Sequence, residues 1–391
     1  MFLKKNILIP LTVSVVFLAC KKQDTPGNTT PDNCVNNQSA ATGPEIIEGR
    51  YIIALKDNSG TAGSMSTQTV ANESEQLLSR NLINRSAIQN TFPGAPGGFI
   101  ANLTEDEAAR LRNDESVEAI EQDRIITLST CFTVVEPRLL TWNVRRVGYG
   151  NGTGKRAWII DTGIDFEHPD LTVDQGKSRS FIPGVSSADD ENGHGTHVGG
   201  IIGGKNNSFG VLGVASGATL ISLRVLDKDG RGAVSYIIQA LGYINSNASA
   251  GDVVNMSLGD DEGISEILDQ QVRNTAARGI FISIAAGNDH VLASGYSPGR
   301  ANGTNIYTIS AIDSLDNFAS FSNYGNDAVD YAAPGVRILS TFHENRYAYM
   351  SGTSMAAPHM AGLLLLKGNS ITTSGTAKND PDGVADPIAH Y

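Results

Sequence analysis

Apolar positions change their spacing several times along this chain, and each change marks an element. The stretch YIIALK (51–56) reads as a strand, and NESEQLLSRNLI (72–83) places its apolar residues at helical spacing. SAIQNTF and GGFIANL follow as two further strands, separated by the turn residues PGAPG. In TEDEAARLRNDES, Thr104 and Glu107 form a capping box that opens a helix, and VEAIEQDRIITL then closes the segment as a strand. The order β-α-β-β-α-β over residues 46–130 predicts a small ferredoxin-like α+β domain. Taken from its residues alone, it could be a binding module or a processing segment.

From residue 131 to 391 the pattern is different. KRAWIID, ATLISLRVL, GDVVNMSL, GIFISIAAG and NIYTISAI are nearly continuous apolar runs alternating with helical stretches. Such runs suit strands buried on both faces of a parallel sheet, with helices packed on both sides. Sheets of this kind bind ligands outside the carboxyl ends of their strands. Asp161, Ser257 and Asn288 fall at such ends. After AGLLLLKG the pattern breaks into a polar tail, NSITTSGTAKNDPDGVADPIAHY, with no helical spacing.

The first forty-five residues belong to neither domain. Residues 1–20 have a basic start at Lys4 and Lys5, an apolar stretch from Ile7 to Ala19, and then Cys20. That stretch is short for a membrane span and has the layout of an export signal. Its FLAC end is similar to the signals of bacterial lipoproteins, which implies a lipid on Cys20 and attachment to a membrane of the cell envelope, or else secretion after processing. Residues 21–45, rich in Asn, Thr, Pro and Gly, read as a flexible tether. Two cysteines remain, Cys34 and Cys131. They could pair in an oxidising compartment or stay as free thiols.

Charge and composition narrow the function classes. A formal net charge of −12 argues against nucleic acid as a partner, since phosphate binding needs basic patches. With 42 glycines and 6% aromatic residues, the chain fits a loop-rich α/β protein.

Four stretches need a joint explanation: AWIIDTGID (157–165), NGHGTHVGG (192–200), SIAAGN (283–288) and SGTSMAAPHMAG (351–362). Singly, each has an ordinary reading as a cap, a turn or close helix packing. Together they give Asp, His and Ser in a recurring order for a nucleophilic triad, with an Asn before the Ser. The two imidazoles of HGTH could instead serve a metal, but that leaves Asn288 and Ser354 unexplained. The four stretches resemble the motifs of subtilisin-like serine peptidases, nearest to the proteinase K branch.

The resemblance implies a serine endopeptidase, monomeric and acting on polypeptides. Ser354 would be the nucleophile, His194 its base, Asp161 the group that orients the imidazole, and Asn288 an oxyanion donor. Substrate would lie along Gly230, Gly232, Ser257, Leu258 and Gly259, with Ala285, Ala286 and Gly287 walling the first pocket. Ser351 and Thr353 would be local caps, and His359 structural. No cofactor is needed for the chemistry; a structural Ca²⁺ would be held by Thr304, Ile306 and Asp330. Residues 46–130 would be an inhibitory propeptide that is cut off between about residues 128 and 138. Asp260, Asp261 and Glu262 stand where relatives often have glycines, either favouring basic substrates or forming a solvated acidic loop. A silent peptide-binding protein on the same scaffold is the alternative from another class.

Overall fold

The computed structural model describes residues 46–56, 65–127, 131–134, 139–259 and 263–391. The expected export signal, Cys20, the tether, Cys34 and the acidic residues 260–262 lie outside these, as does the side chain of Cys131.

The N-terminal part runs β1 (Ile46–Leu55), α1 (Thr67–Arg80), β2 (Ile88–Phe92), β3 (Gly98–Asn102), α2 (Glu105–Arg112) and β4 (Val117–Thr127). This is the expected order, and the strands pair antiparallel as β4-β1-β3-β2. The capping box forms as predicted: the Thr104 N–H donates to Glu107 Oε2 at 2.8 Å, and Thr104 Oγ1 accepts from the Glu107 N–H.

The unbroken apolar run at 51–55 has a two-sided explanation. Side chains alternate across a strand. Tyr51, Ile53 and Leu55 pack with Val70, Leu77, Leu78 and Leu111 from the two helices of this domain. Ile52 and Ala54, on the opposite face, join the core of the larger domain with Ile237, Leu241 and Leu268.

Residues 131–391 begin with β5 (Cys131–Val134) and are organised by β6 (Arg156–Asp161), α3 (His194–Gly203), β7 (Thr219–Arg224), β8 (Arg231–Ala233), α4 (Val234–Asn247), β9 (Val253–Met256), α5 (Glu266–Ala277), β10 (Phe281–Ala285) and β11 (Ile306–Ile312). They continue with β12 (Tyr331–Pro334), β13 (Ile338–Phe342), β14 (Arg346–Ser351), α6 (Thr353–Lys367), β15 (Thr372–Thr376) and β16 (Pro387–His390). A nine-stranded sheet has the order β15-β16-β12-β11-β10-β9-β6-β7, then the short strand Arg179–Ser180. Every pairing in it is parallel except β15 with β16. The polar tail, expected to lack helices, supplies these last two strands. Thr372–Thr376 is exposed along its length, so no apolar alternation announced it.

Helix α6 is buried from Thr353 to Leu365. Met355, Ala356, Ala357, Met360 and Ala361 share a core with Val198, Ile201 and Ile202 of α3 and with Ile309 of the sheet. Its small residues are there for contact distance: a Cβ on Gly362 would stand 2.6 Å from Val214 Cβ. Interiors at crystal-like density leave no room for that methyl. Gly362→Ala is expected to destabilise the fold by ~1–3 kcal/mol, the usual cost of overpacking. Thermal or denaturant unfolding measures this, and an unchanged midpoint would mean the helix does not press on Val214.

Candidate active site

Asp161 is the last residue of β6, at the carboxyl end of a central strand, and His194 is the first residue of α3. His194 Nδ1 lies 2.7 Å from Asp161 Oδ1, with both side chains buried. The Thr162 N–H donates to the same oxygen at 2.7 Å. A carboxylate accepts, so the imidazole carries its proton on Nδ1 and presents Nε2 as a lone pair. Nε2 is buried and has no hydrogen-bond partner. Gly195 makes the approach feasible: a Cβ there would stand 2.0 Å from the Gly163 carbonyl oxygen and 3.1 Å from Asp161.

Ser354 occupies the first turn of α6, whose amides have no acceptor within the helix and favour negative charge. Its hydroxyl donates to the Ser257 carbonyl at 3.1 Å, while Ser257 Oγ donates to the Ser354 carbonyl at 2.7 Å. The hydroxyl is therefore turned toward Ser257 and not toward His194. Asn288 Oδ1 accepts from the Thr353 N–H at 2.8 Å and from Thr353 Oγ1 at 3.0 Å. Because that N–H can only donate, the amide oxygen is fixed on it and Nδ2 remains to donate elsewhere. Thr353 Oγ1 also accepts from the Gly287 N–H at 3.1 Å. Ser351 and Thr353 are thus not caps of α6, which has no side-chain cap. Ser351 Oγ holds the Arg337 N–H, and Thr353 ties Asn288 to the helix start. His359 donates within the core to the Met355 carbonyl at 2.8 Å, and burial pushes its imidazole down to about 4.

In HGTH, His197 Nε2 lies 2.9 Å and 3.1 Å from the carbonyls of Ile338 and Ala348, so that nitrogen is engaged as a donor to the backbone. Burial pushes its imidazole down to about 3. No cluster of three or more His, Cys, Asp or Glu suited to a metal occurs among the described residues.

The expected substrate edge is covered by the chain's own N-terminal domain. β4 pairs antiparallel with β8, Gly232 opposite Ile126, so its four-stranded sheet gains a fifth strand. Gly230 precedes that strand with a left-handed φ of 74°. Ile126 is buried in the same apolar cluster as Leu226 and Leu258. Past the segment 128–130, β5 pairs with β14, Cys131 opposite Ser351, three residues before Ser354. Gly259 ends the described part of the opposite edge, and Ala285 and Ala286 are buried at the end of β10.

Two acidic residues that sequence reading passed over fasten this domain. Asp123 is fully buried on β4; it accepts from Ser235 Oγ at 2.6 Å and the Ser235 N–H at 3.2 Å, at the start of α4. Glu121 bonds Ser265 Oγ, the N-cap of α5. Carboxylates at helix N-termini are stabilised by the helix dipole. Their alternation in EQD was the available signal. Burial pushes the Glu121 carboxyl up to about 7, with Asp269 and Asp123 adding repulsion against the Arg124 charge.

Thr304 is exposed in the turn before β11, and Ile306 begins that strand. Asp330 Oδ2 accepts from the Thr308 N–H at 2.8 Å, and burial pushes this carboxyl up to about 6.

Comparison with known proteins fits this geometry. Residues 157–374 match the Subtilase family, and residues 50–129 match Peptidase inhibitor I9. The chain is 33% identical to Alkaline serine exoprotease A of Vibrio alginolyticus, over 86% of this chain and 63% of that protein. It is 36% identical to Extracellular serine proteinase of Thermus sp. (strain Rt41A), over 83% of this chain and 81% of that one. The crystal structure of a cold adapted subtilisin-like serine proteinase superposes with a TM-score of 0.57 at 33% identity, covering 65% of this chain and 98% of the other. The chain belongs to the Subtilase family of serine peptidases and carries an I9 inhibitor domain ahead of its catalytic part.

Proposed function

We propose that this chain is a self-processing serine endopeptidase that works through Asp161, His194 and Ser354. The observation that carries the reading is the buried 2.7 Å pair of Asp161 and His194, which leaves Nε2 as an unpaired base. The Ser354 hydroxyl, rotating from the Ser257 carbonyl, gives its proton to Nε2 as its oxygen attacks the peptide carbonyl. Asp161 holds the tautomer and stabilises the imidazolium, which returns the proton to the leaving amine. Asn288 Nδ2 and the Ser354 N–H receive the oxyanion, a role in which loss of one donor costs ~10²–10³ in turnover. A subtilisin is the source of that magnitude.

Substrate adds as a strand to Gly230–Gly232 on one side and to Ser257–Gly259 on the other, the binding mode of β-augmentation. The pairing of β4 with β8 supports this, since an inhibitor takes the place a substrate needs. Residues 46–130 are the propeptide and 131–391 the catalytic domain. Processing falls between about residues 128 and 138, a stretch that follows the pairing of β4 with β8 and contains β5, which pairs with β14. Residues 1–20 direct export, and a lipid on Cys20 with the tether 21–45 anchors the precursor to the cell envelope. The four motif stretches together are nearest to those of the proteinase K branch.

Intact mass of the purified protein tests this reading. The wild type is expected as a catalytic fragment beginning within 128–138 that labels with a fluorophosphonate. Ser354→Ala is expected as an uncut, unlabelled chain. An uncut wild type with no labelling would favour the silent binder instead.

The propeptide's grip is predicted to depend on pH. The Glu121 carboxyl is raised when docked, so its contribution is fully present below its ordinary value of 4.5 and lost as pH rises to about 7. Release after processing should accelerate across that window and level off above it. Glu121→Gln should flatten the dependence, read as the rate at which activity appears. A variant with the wild-type slope would refute the assignment.

A Ca²⁺ ion held by Asp330 and the carbonyls of Thr304 and Ile306 would neutralise a carboxylate that burial disfavours, and hard oxygen donors suit it. Without the ion, the raised Asp330 stabilises the fold below 3.8 and stops doing so as pH passes about 6. Calcium should therefore raise the thermal midpoint at pH 8 in the wild type and leave Asp330→Asn unmoved. An equal rise in both would place the ion elsewhere.

A further inference from the structure

Helix α3 starts at His194, and its N-cap, Gly193, has no side chain to satisfy the free amides of the first turn. Three side chains from outside the helix do so instead. The His194 N–H donates to Asn192 Oδ1 at 3.1 Å, the Gly195 N–H to Thr162 Oγ1 at 2.9 Å, and the Thr196 N–H to Asp190 Oδ2 at 3.0 Å. The first bond inside the helix then runs from the His197 N–H to the Gly193 carbonyl.

Asp190 connects these. It is buried, and five donors reach its carboxylate: Thr162 Oγ1 at 2.9 Å, the N–H groups of Asn192 and Gly193 at 3.0 Å, and from Thr196 both the N–H and Oγ1, the latter at 2.5 Å. Thr162 is the residue whose N–H fixes the Asp161 carboxylate. One buried carboxylate therefore holds the end of β6, which carries Asp161, and the start of α3, which carries His194. Its loop is itself fastened: Arg224, paired opposite Asp161 on β7, donates to the Asp189 carbonyl at 2.8 Å and to Glu191 Oε2 at 2.5 Å.

We propose that Asp190 is a positioning residue for the hydrolysis, acting through Thr162 to keep the His194 imidazole in register with Asp161. The proposal rests on the reading of Asp161 and His194 as catalytic. Asparagine at 190 could still accept one or two of the five bonds but would place an NH₂ against donors, and the helix start would shift. A misplacement near 1 Å costs ~10²-fold in rate.

The imidazole must deliver a proton to a poor leaving group, an amine, but scarcely at all to a good one such as p-nitrophenolate. Misplacement should therefore damage amide hydrolysis more than hydrolysis of an activated ester. A loss of folded enzyme would lower both alike.

The test uses Asp190→Asn and Thr162→Val in the full chain, with rates expressed per titratable active site. Each variant is expected to lose ~10²-fold in kcat on a peptide amide with KM held within about threefold. The activated ester should lose no more than about tenfold, and the double variant should be little worse than either single one, because both break one connection. Should Asp190→Asn fail to fold, Thr162→Val decides alone. Unchanged kcat per site, or equal losses on amide and ester, overturns the proposal. The reading beneath it fails separately, if His194→Ala hydrolyses peptides like the wild type.

Discussion

A carboxylate and an imidazole, both taken out of water, meet at 2.7 Å, and much of this fold exists to make that meeting unavoidable. Burying such groups is costly unless each finds a partner of the right hydrogen-bonding sense. Asp161 finds two, the Thr162 N–H and His194 Nδ1. His194 finds one and is left with a lone pair it cannot use within the resting structure. The sheet supplies the first group at a strand end and the first turn of a helix supplies the second. Glycine at 195 removes the bulk that would keep those two backbones apart.

The same economy of bulk explains the second helix. Its run of Ala, Gly and Met lies buried against α3 and the sheet, so Ser354 is presented at a helix start that is itself inside the protein. Ser257, Asn288 and Thr353 then determine what the local polar groups can do. With Asn288 Oδ1 fixed by the Thr353 N–H, the amide's donor end is the part left over for chemistry. An inhibitor domain that sets Asp123 on an amide at one helix start and Glu121 on the N-cap hydroxyl of another, and adds a strand to the cleft edge, uses the ordinary demands of helix ends and sheet edges.

Much of this was legible in the sequence, for identifiable reasons. Buried strands such as AWIID and FISIA announce themselves because both faces need apolar residues. Thr104 and Glu107 announce a helix start because their bonds are local. Asp161, His194, Asn288 and Ser354 were found together because their four stretches follow a recurring chain order for a triad and resemble the motifs of one family. Asp190 was not legible: its five donors come from a turn, a strand end and a helix, and only folding shows that one carboxylate serves them all. Asp123 and Glu121 were hidden likewise, since the serines they hold, Ser235 and Ser265, lie more than a hundred residues away. Ser351 and Thr353 looked like caps because hydroxyls at helix starts usually are, yet tertiary partners claimed both. Of the tail's two strands, Thr372–Thr376 escaped notice because an exposed edge needs no apolar pattern, and Pro387–His390 because its buried core is only Ile388 and Ala389.

The claim beneath all of this is that Asp161 fixes which imidazole nitrogen of His194 carries the proton in the resting enzyme. Nitrogen-15 NMR of histidine-labelled protein at neutral pH reads that directly. The account predicts a His194 with its proton on Nδ1, hydrogen-bonded and protected from exchange, and loss of that signature in Asp161→Ala. A proton on Nε2 in the wild type, or an Nδ1 signal indifferent to the loss of Asp161, would contradict it.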